Sequence, residues 1–362
     1  MAKMVGGWGM DPFAVSDLSP LLRSGFRILR AISCDNSEGS QMDSPGRVSN
    51  RLSGCPLPAA ECFKDTDPGR GAHLACGVRD PSMSRPYERL LDFWRRHDAQ
   101  LGGLGGGHSE DLSLIHDLYR GMPAAFNRFF DFWQRRAVQA LLRLSPPRPG
   151  QQALDLGCGT GRWSRLFQRY GVQTVGVDVG IHALRWARIL SPAGQWAVMA
   201  LPALGFRSRS FDWAISVTVL QHLPYEVQEY ALQEIRRLLR PGGCMIIIEL
   251  CQQCEEGFYL FPRSRESWEE LFMRTGLRVL RRRATERLPW IPILRRWGAW
   301  RKTRTSESTL VEAAADWFRH SRWPWIGLYL FLSVAYPLEW LAEIMKWDHH
   351  ARYMGWLLRR EG

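Results

Sequence analysis

A doubly wound α/β fold is the architecture this sequence predicts, and three observations point to it. From residue 151 onward, short apolar runs at 153–156, 174–177, 196–199, 213–217 and 245–250 alternate with stretches of helical spacing. Such alternation calls for parallel strands joined by right-handed helical crossovers. The first run passes through a glycine-rich turn into a helical stretch, and the second ends on an acid, Asp178. With 362 residues and 45% hydrophobic content, the chain can bury one sizeable α/β core with appendages.

Each element has its own signal. Residues 1–82 mix Gly, Ser, Pro, Arg and scattered Cys without a sustained period, and are expected to form a disordered extension. Met83 precedes an amphipathic helix carrying Leu90, Leu91, Phe93 and Trp94, and is read as an alternative translation start. Residues 83–150 are expected to supply N-terminal helices that cover the site. Beyond a glycine stretch at 102–107, helices are predicted over 113–119 and 124–144, the second with Phe126, Phe129, Phe130, Phe132 and Trp133 on one apolar side. The run Ser145-Pro146-Pro147 stops it. Arg240-Pro241-Gly242-Gly243 reads as a hard break between a helix over 225–239 and a strand over 244–250, where Ile246, Ile247 and Ile248 suit burial on both faces. Further strands are predicted at 277–283 and 352–358.

The chemistry concentrates in the turn Asp155-Leu156-Gly157-Cys158-Gly159-Thr160-Gly161. Gly157 and Gly159 allow backbone approach that a Cβ would forbid, and Gly161 lets the following helix start against the strand. Asp178 falls where a carboxylate can accept both ribose hydroxyls of a nucleoside. A dinucleotide fingerprint would need a third glycine at position 162, which is Arg. Asp155 would also repel a pyrophosphate, whereas a cationic cofactor without phosphate tolerates it. The structural alternatives are that Asp155 caps amides of its own loop and that Asp178 is the N-cap of a helix over 181–188.

These residues resemble the class I S-adenosylmethionine-dependent methyltransferases, in particular their small-molecule type 11 branch, over about 127–250. Ser210-Phe211-Asp212-Trp213, Ser216 to Leu223 and Leu239-Arg240-Pro241-Gly242-Gly243 carry the resemblance together with the turn and Asp178. It implies a Rossmann-like, mostly parallel seven-stranded sheet of order 3-2-1-4-5-7-6, with strand seven antiparallel and a helical insertion between strands six and seven. S-adenosyl-L-methionine is the implied cofactor. Asp155, Gly157, Cys158, Gly159 and Gly161 would surround its methionine portion, Asp178 and Val179 its ribose, and Thr218 and Val219 would floor the transferable methyl. Relatives usually carry an Asp for the adenine amino group where this chain has Met199-Ala200-Leu201, so backbone groups of Ala200 and Leu201 would have to serve. Relatives also often place Ser where this chain has Gly180.

The resemblance implies methyl transfer to a hydrophobic small-molecule or lipid-like acceptor, with oxygen favoured over nitrogen or carbon. An NAD(P)-dependent oxidoreductase and a non-catalytic cofactor-binding scaffold are the alternatives. Transfer from a sulfonium is an in-line displacement that positioning alone can catalyse. His222 is the candidate general base, or else a structural cap. His116 and Tyr119 would fold over the site, or sit on a helix surface. The insertion 289–348, with Trp290 and Trp325 among its many aromatics, is expected to form an apolar lid over the acceptor. Interfacial membrane contact aided by Arg295, Arg296, Arg301 and Arg304 comes second, and simple packing of the domain is equally open. Interrupted by Pro324 and Pro337, its most apolar part reads as too short for a span of about 20 residues.

The formal charge of +12 is almost all arginine, spread through every segment, so nucleic acid is not expected as a partner. Eight cysteines without a second pair behind Cys251-x-x-Cys254 are read as free thiols, with no metal site. No charged and then apolar leader opens the chain, so a cytoplasmic protein is expected, with peripheral membrane contact as the second reading.

Overall fold

A computed structural model describes residues 84–99, 114, 117–119, 122–251, 259–290 and 323–362. The expectations for 1–82, His116 and the arginines of 295–304 lie outside these residues. Seven strands, β1 (Gln152–Leu156), β2 (Gln173–Asp178), β3 (Gln195–Val198), β4 (Phe211–Val217), β5 (Leu239–Leu250), β6 (Leu277–Thr285) and β7 (Tyr353–Arg360), form one sheet in the order β3-β2-β1-β4-β5-β7-β6. Strands β1 to β5 pair in parallel, and β7 runs antiparallel to both β5 and β6. This is the order the resemblance implied.

Helices α1 (Ser84–Ala99), α2 (Ala124–Leu142), α3 (Arg162–Gln168), α4 (Ile181–Leu190), α5 (Tyr225–Leu238), α6 (Arg265–Arg274) and α7 (Trp323–Ile344) surround the sheet. Side chains alternate through β5. Met245 and Ile247 join the core under α5 and α6, with Leu232, Ile235, Trp268 and Phe272. Ile246 and Ile248 join the opposite core, with Leu141 of α2 and Phe167 of α3. Both faces of the sheet are therefore covered, as continuous apolar strand sequences require.

Two local readings are corrected. Arg240–Gly243 does not separate helix from strand, because Leu239 already pairs with Phe211 while Cys244 pairs with Trp213. The intervening residues bulge out, with Gly242 at φ 74°, a left-handed conformation that glycine adopts without strain. The apolar stretch beginning at Trp323 is also longer than expected. Pro324 falls in the first turn of α7, where its missing N–H costs nothing, and the helix continues through Pro337. Residues Trp325–Ile344 are long and apolar enough, by length and composition, to cross a membrane.

One face of α7 packs against α2. Leu328 and Ala335 cluster with Phe126, Phe129, Phe130, Trp133 and Trp290. Buried Glu339 fastens the segment after β6 to the helix by accepting from the amides of Arg287 and Leu288 and from the Trp290 indole at 2.9 Å. Helix α1 is clamped to α4. Asp98 accepts from the amides of His182 (2.9 Å) and Ala183 (2.8 Å), capping the N-terminus of α4 from another helix. A Cβ at Gly180 would lie 2.6 Å from the Asp98 carboxyl carbon, which explains the glycine where relatives often carry serine.

Candidate cofactor and acceptor site

The strand order reverses between β1 and β4, and in an open parallel sheet the crevice outside the carboxyl ends at that point is the binding position. The turn leaving β1 lies there. Gly157, Gly159 and Gly161 all have positive φ, at 57°, 52° and 79°. A Cβ on Gly157 would strike Val219, and one on Gly159 would strike Asp117, so the two glycines bring the β4 turn and the 117–119 segment against β1. Gly161 serves another purpose: Trp196 of β3 lies 2.5 Å from where its Cβ would be, and the same ring covers Gly176. Cys158 turns its thiol inward under Gly176, where burial raises its pKa well above the usual thiol range, so only its backbone borders the crevice.

Three carboxylates ring the turn. Asp178 accepts from the amides of Gly159 (2.9 Å) and Gly180 (2.8 Å), which fixes its carboxylate at the end of β2 beside the glycine turn. It is not the cap of α4, a place taken by Asp98. Asp117 accepts from the amide (3.1 Å) and hydroxyl (2.5 Å) of Thr160. Asp155 accepts from the amide and hydroxyl of Ser164 in α3 through one oxygen, while its Oδ1 is buried without a hydrogen-bond partner. The residues present fit S-adenosylmethionine, since an orphaned buried oxygen and a glycine cradle ringed by acids suit a cationic nucleoside without phosphate.

Desolvation raises the Asp155 pKa to about 7, against the hydrogen bonds from Ser164. Because the folded value exceeds the unfolded one, the stability Asp155 lends is fully present below about 3.8 and is lost as pH rises through about 7. A cationic ligand favours the ionised form. S-adenosylmethionine affinity is therefore expected to rise severalfold between about pH 6 and 8 in calorimetric titrations, and to become flat in Asp155→Asn.

The turn after β4 is braced from below. Thr218 has φ 59°, a strained conformation for a β-branched residue, held by its amide bonding to Ile248 and its hydroxyl to Val217. Glu249 of β5, fully buried, accepts from the amides of Val219 (3.3 Å), Leu220 (2.9 Å) and Gln221 (3.0 Å). Gln221 in turn accepts from the Leu250 amide. His222 bonds through Nδ1 to the carbonyl of Tyr259 at 2.8 Å, so Nδ1 carries the hydrogen and Nε2 accepts from the Gln221 side-chain amide at 3.4 Å. Burial pushes its pKa down to about 4. Trp94 of α1 meets the His222 ring edge-on at 4.7 Å, and Phe93 stacks on Tyr259 at 5.3 Å. Helix α1 therefore covers this end of the crevice.

On the adenine side, Ala200 and Leu201 follow β3, and the Leu201 carbonyl is taken by the Tyr87 hydroxyl of α1. A carbonyl oxygen has a second lone pair, so Leu201 can still accept from an adenine amino group in place of the missing acid. Val179 lies half-buried between Asp178 and Gly180. Tyr119 is brought to the carboxyl edge, where its hydroxyl accepts from Arg352 at 2.9 Å. Trp290, expected at the acceptor, is buried among Phe129 and Phe331 with its indole committed to Glu339, which gives it a packing role. Trp325 lies in the first turns of α7 and is over a third exposed. Sequence reasoning missed Asp98, Asp117, Glu249 and Arg352. Glu249 carried a signal, as the one acid in the apolar run 245–250.

Fold and site together define a nucleoside-binding enzyme of the class I transferase architecture. A family model described as a methyltransferase domain matches residues 154–247. The O-methyltransferase resE of Aspergillus sclerotiorum is 35% identical over 204 residues, which cover 49% of this chain and 76% of that protein. The malonyl-acyl-carrier-protein O-methyltransferase of Salmonella typhimurium is 30% identical over 174 residues, covering 47% of this chain and 63% of that protein, short of two thirds of its length. Among solved structures, phosphoethanolamine N-methyltransferase 2 of Haemonchus contortus with S-adenosyl-L-methionine has a TM-score of 0.43 at 18% identity, covering 63% of this chain and 53% of that one. The chain belongs to the class I S-adenosylmethionine-dependent methyltransferases. The oxidoreductase alternative falls with that assignment. Arg162, the residue that breaks the dinucleotide fingerprint, is buried and ties α3 to Asp131 (2.8 Å) and Gln134 (2.9 Å) of α2.

Proposed function

We propose that this chain methylates a hydroxyl oxygen on an apolar small-molecule acceptor. The carrying observation is the acid-ringed glycine turn beside the strained, Glu249-braced turn 218–222, under the aromatic residues of α1. The names of the O-methyltransferase relatives support the choice of oxygen. When bound, the cofactor supplies an electrophilic methyl on a sulfonium. The residues of the chain then have only to hold an acceptor oxygen on the S–CH3 axis and keep water out. The Val219–Gln221 turn sets the floor, and Trp94, Phe93 and Tyr259 close the side. With its pKa near 4 and its Nε2 facing the Gln221 amide, His222 suits holding the turn and the Tyr259 segment in place better than capturing a proton. The test is mass spectrometry after incubation with methyl-labelled cofactor and matched phenol, carboxylic acid, amine and thiol acceptors. A labelled methyl ether is expected. Label on nitrogen or carbon alone, or none despite cofactor binding, overturns the proposal.

A second reading concerns where the acceptor is met. Between Trp325 and Ala342 the only charged residue of α7 is Glu339, which is buried, while Ile326, Tyr329, Leu330, Val334 and Leu341 are exposed. An apolar face of this length on a protein surface marks an interaction site. We infer that a cytoplasmic protein touches a bilayer through this face and takes an apolar acceptor from it. The full chain is expected to co-sediment with phosphatidylcholine–phosphatidylglycerol vesicles, and a Leu330→Glu/Leu341→Glu variant to lose at least tenfold in partitioning. Equal partitioning of the two proteins would remove this reading.

A further inference from the structure

The carboxyl edge of β6 carries a second polar centre. Both β5 and β6 run antiparallel to β7, so β6 ends on the same edge as the cofactor turn. Glu286, the next residue, has φ 53°, and it is only 2% exposed. Its Oε1 has no hydrogen-bond partner, and its Oε2 lies 3.7 Å from the Arg352 guanidinium. A buried acceptor left unpaired on a strained residue calls for a missing donor.

The surroundings say what kind of donor. Arg352 supplies one positive charge, and Glu286 already balances it. The other nearby acid, Glu339, has its oxygens filled by the Arg287 and Leu288 amides and the Trp290 indole, and Arg287 itself is paired with Asp348. Among the described residues, Arg352 and Arg287 are both already paired with acids, so an anionic ligand would meet no uncommitted counter-charge from them. A neutral hydroxyl would satisfy Oε1. Tyr119, bonded to Arg352, packs its ring on Phe126 and Phe130, so the approach is aromatic.

This centre also connects to the cofactor turn. Asp117 binds Thr160 and Tyr119 binds Arg352, and two residues span about 7 Å of extended chain. Strand β6 lies three strand spacings from β4, roughly 14 Å, so a hydroxyl at Glu286 is not the one beside the methyl.

We propose that Glu286, flanked by Arg352 and Tyr119, holds a distal hydroxyl of the acceptor, so that the preferred acceptor is an elongated apolar compound with oxygen at both ends. The assignment rests on the O-methylation reading and names its substrate class. Its test uses the full chain saturated with S-adenosylhomocysteine, titrated calorimetrically with para,para-dihydroxyterphenyl, whose oxygens match the span from β4 to β6, para-hydroxyterphenyl and hydroxyterphenylcarboxylate. Wild type is expected to bind the dihydroxyterphenyl about tenfold tighter than the monohydroxyterphenyl, with the carboxylate weakest. In Glu286→Leu that preference falls to within about twofold while S-adenosylhomocysteine affinity stays unchanged. Glu286→Gln, which keeps an acceptor oxygen and the fold if the leucine variant unfolds, is expected to retain about a threefold preference. An undiminished preference in the variants, tightest binding of the carboxylate, or no binding of any probe by wild type overturns the assignment, and each leaves methyl transfer to simpler phenols intact. Failure of wild type to bind S-adenosylhomocysteine would instead overturn the methyltransferase reading and this assignment with it.

Discussion

Replacing Glu249 with alanine is expected to lower kcat at least a hundredfold and to cost about 3 to 5 kcal/mol of stability. The carboxylate is fully buried and answers three consecutive amides of the turn at the carboxyl end of β4. Each amide stranded without a partner costs about 1 to 3 kcal/mol, and partial relaxation keeps the total below the sum. The rate effect has another origin. Thr218 holds its left-handed conformation only while the residues after it are pinned, and about 1 Å of drift in the turn suffices to spoil in-line attack. Thermal unfolding and steady-state kinetics check both parts, with cofactor KM expected to move only a few fold. Glu249→Gln, which keeps one acceptor and turns an amide donor toward another donor, should fall between. Wild-type kcat in Glu249→Ala would show that the turn is held by other means.

The second large effect is expected in Asp178→Ala, with a loss of about a hundredfold or more in affinity for S-adenosylmethionine by calorimetry. Two costs combine. The Gly159 and Gly180 amides lose their acceptor, which loosens the glycine turn from the end of β2, and a ribose held at this carboxylate would lose its charged partner. Asp178→Asn restores an acceptor but also presents a donor, so about a tenfold loss is expected. If the alanine variant binds the nucleoside as wild type does, the cofactor is not held at this turn.

The strands were legible because their signal is local. Apolar runs such as 245–250 and 213–217 read directly as β5 and β4, and the turn after β1 announced itself by composition. Boundaries moved by a residue or two, as at β3, expected over 196–199 and formed at Gln195–Val198. Proline and glycine misled twice, because their local meaning as breakers was overruled by pairing in β5 and by packing on α2 in α7. The site residues that escaped share one trait. Asp98, Asp117 and Glu249 act on backbone amides that lie 28 or more positions away in the chain, contacts that no spacing rule encodes. Arg352 is similar, since its partner Tyr119 is 233 positions distant. Trp290 was misplaced for the opposite reason: an aromatic in an insertion looks the same in sequence whether it faces a ligand or a helix.

The clamp between Asp98 and the start of α4 carries an implication for divergence within the family. A side chain at position 180 and a carboxylate at position 98 claim the same volume, 2.6 Å apart. Substitution at either place alone is disfavoured, by collision in one direction and by two bare amides in the other. Descendants of this chain should therefore exchange the two residues in concert, and a homologue bearing serine at the glycine must anchor its leading helix by different chemistry.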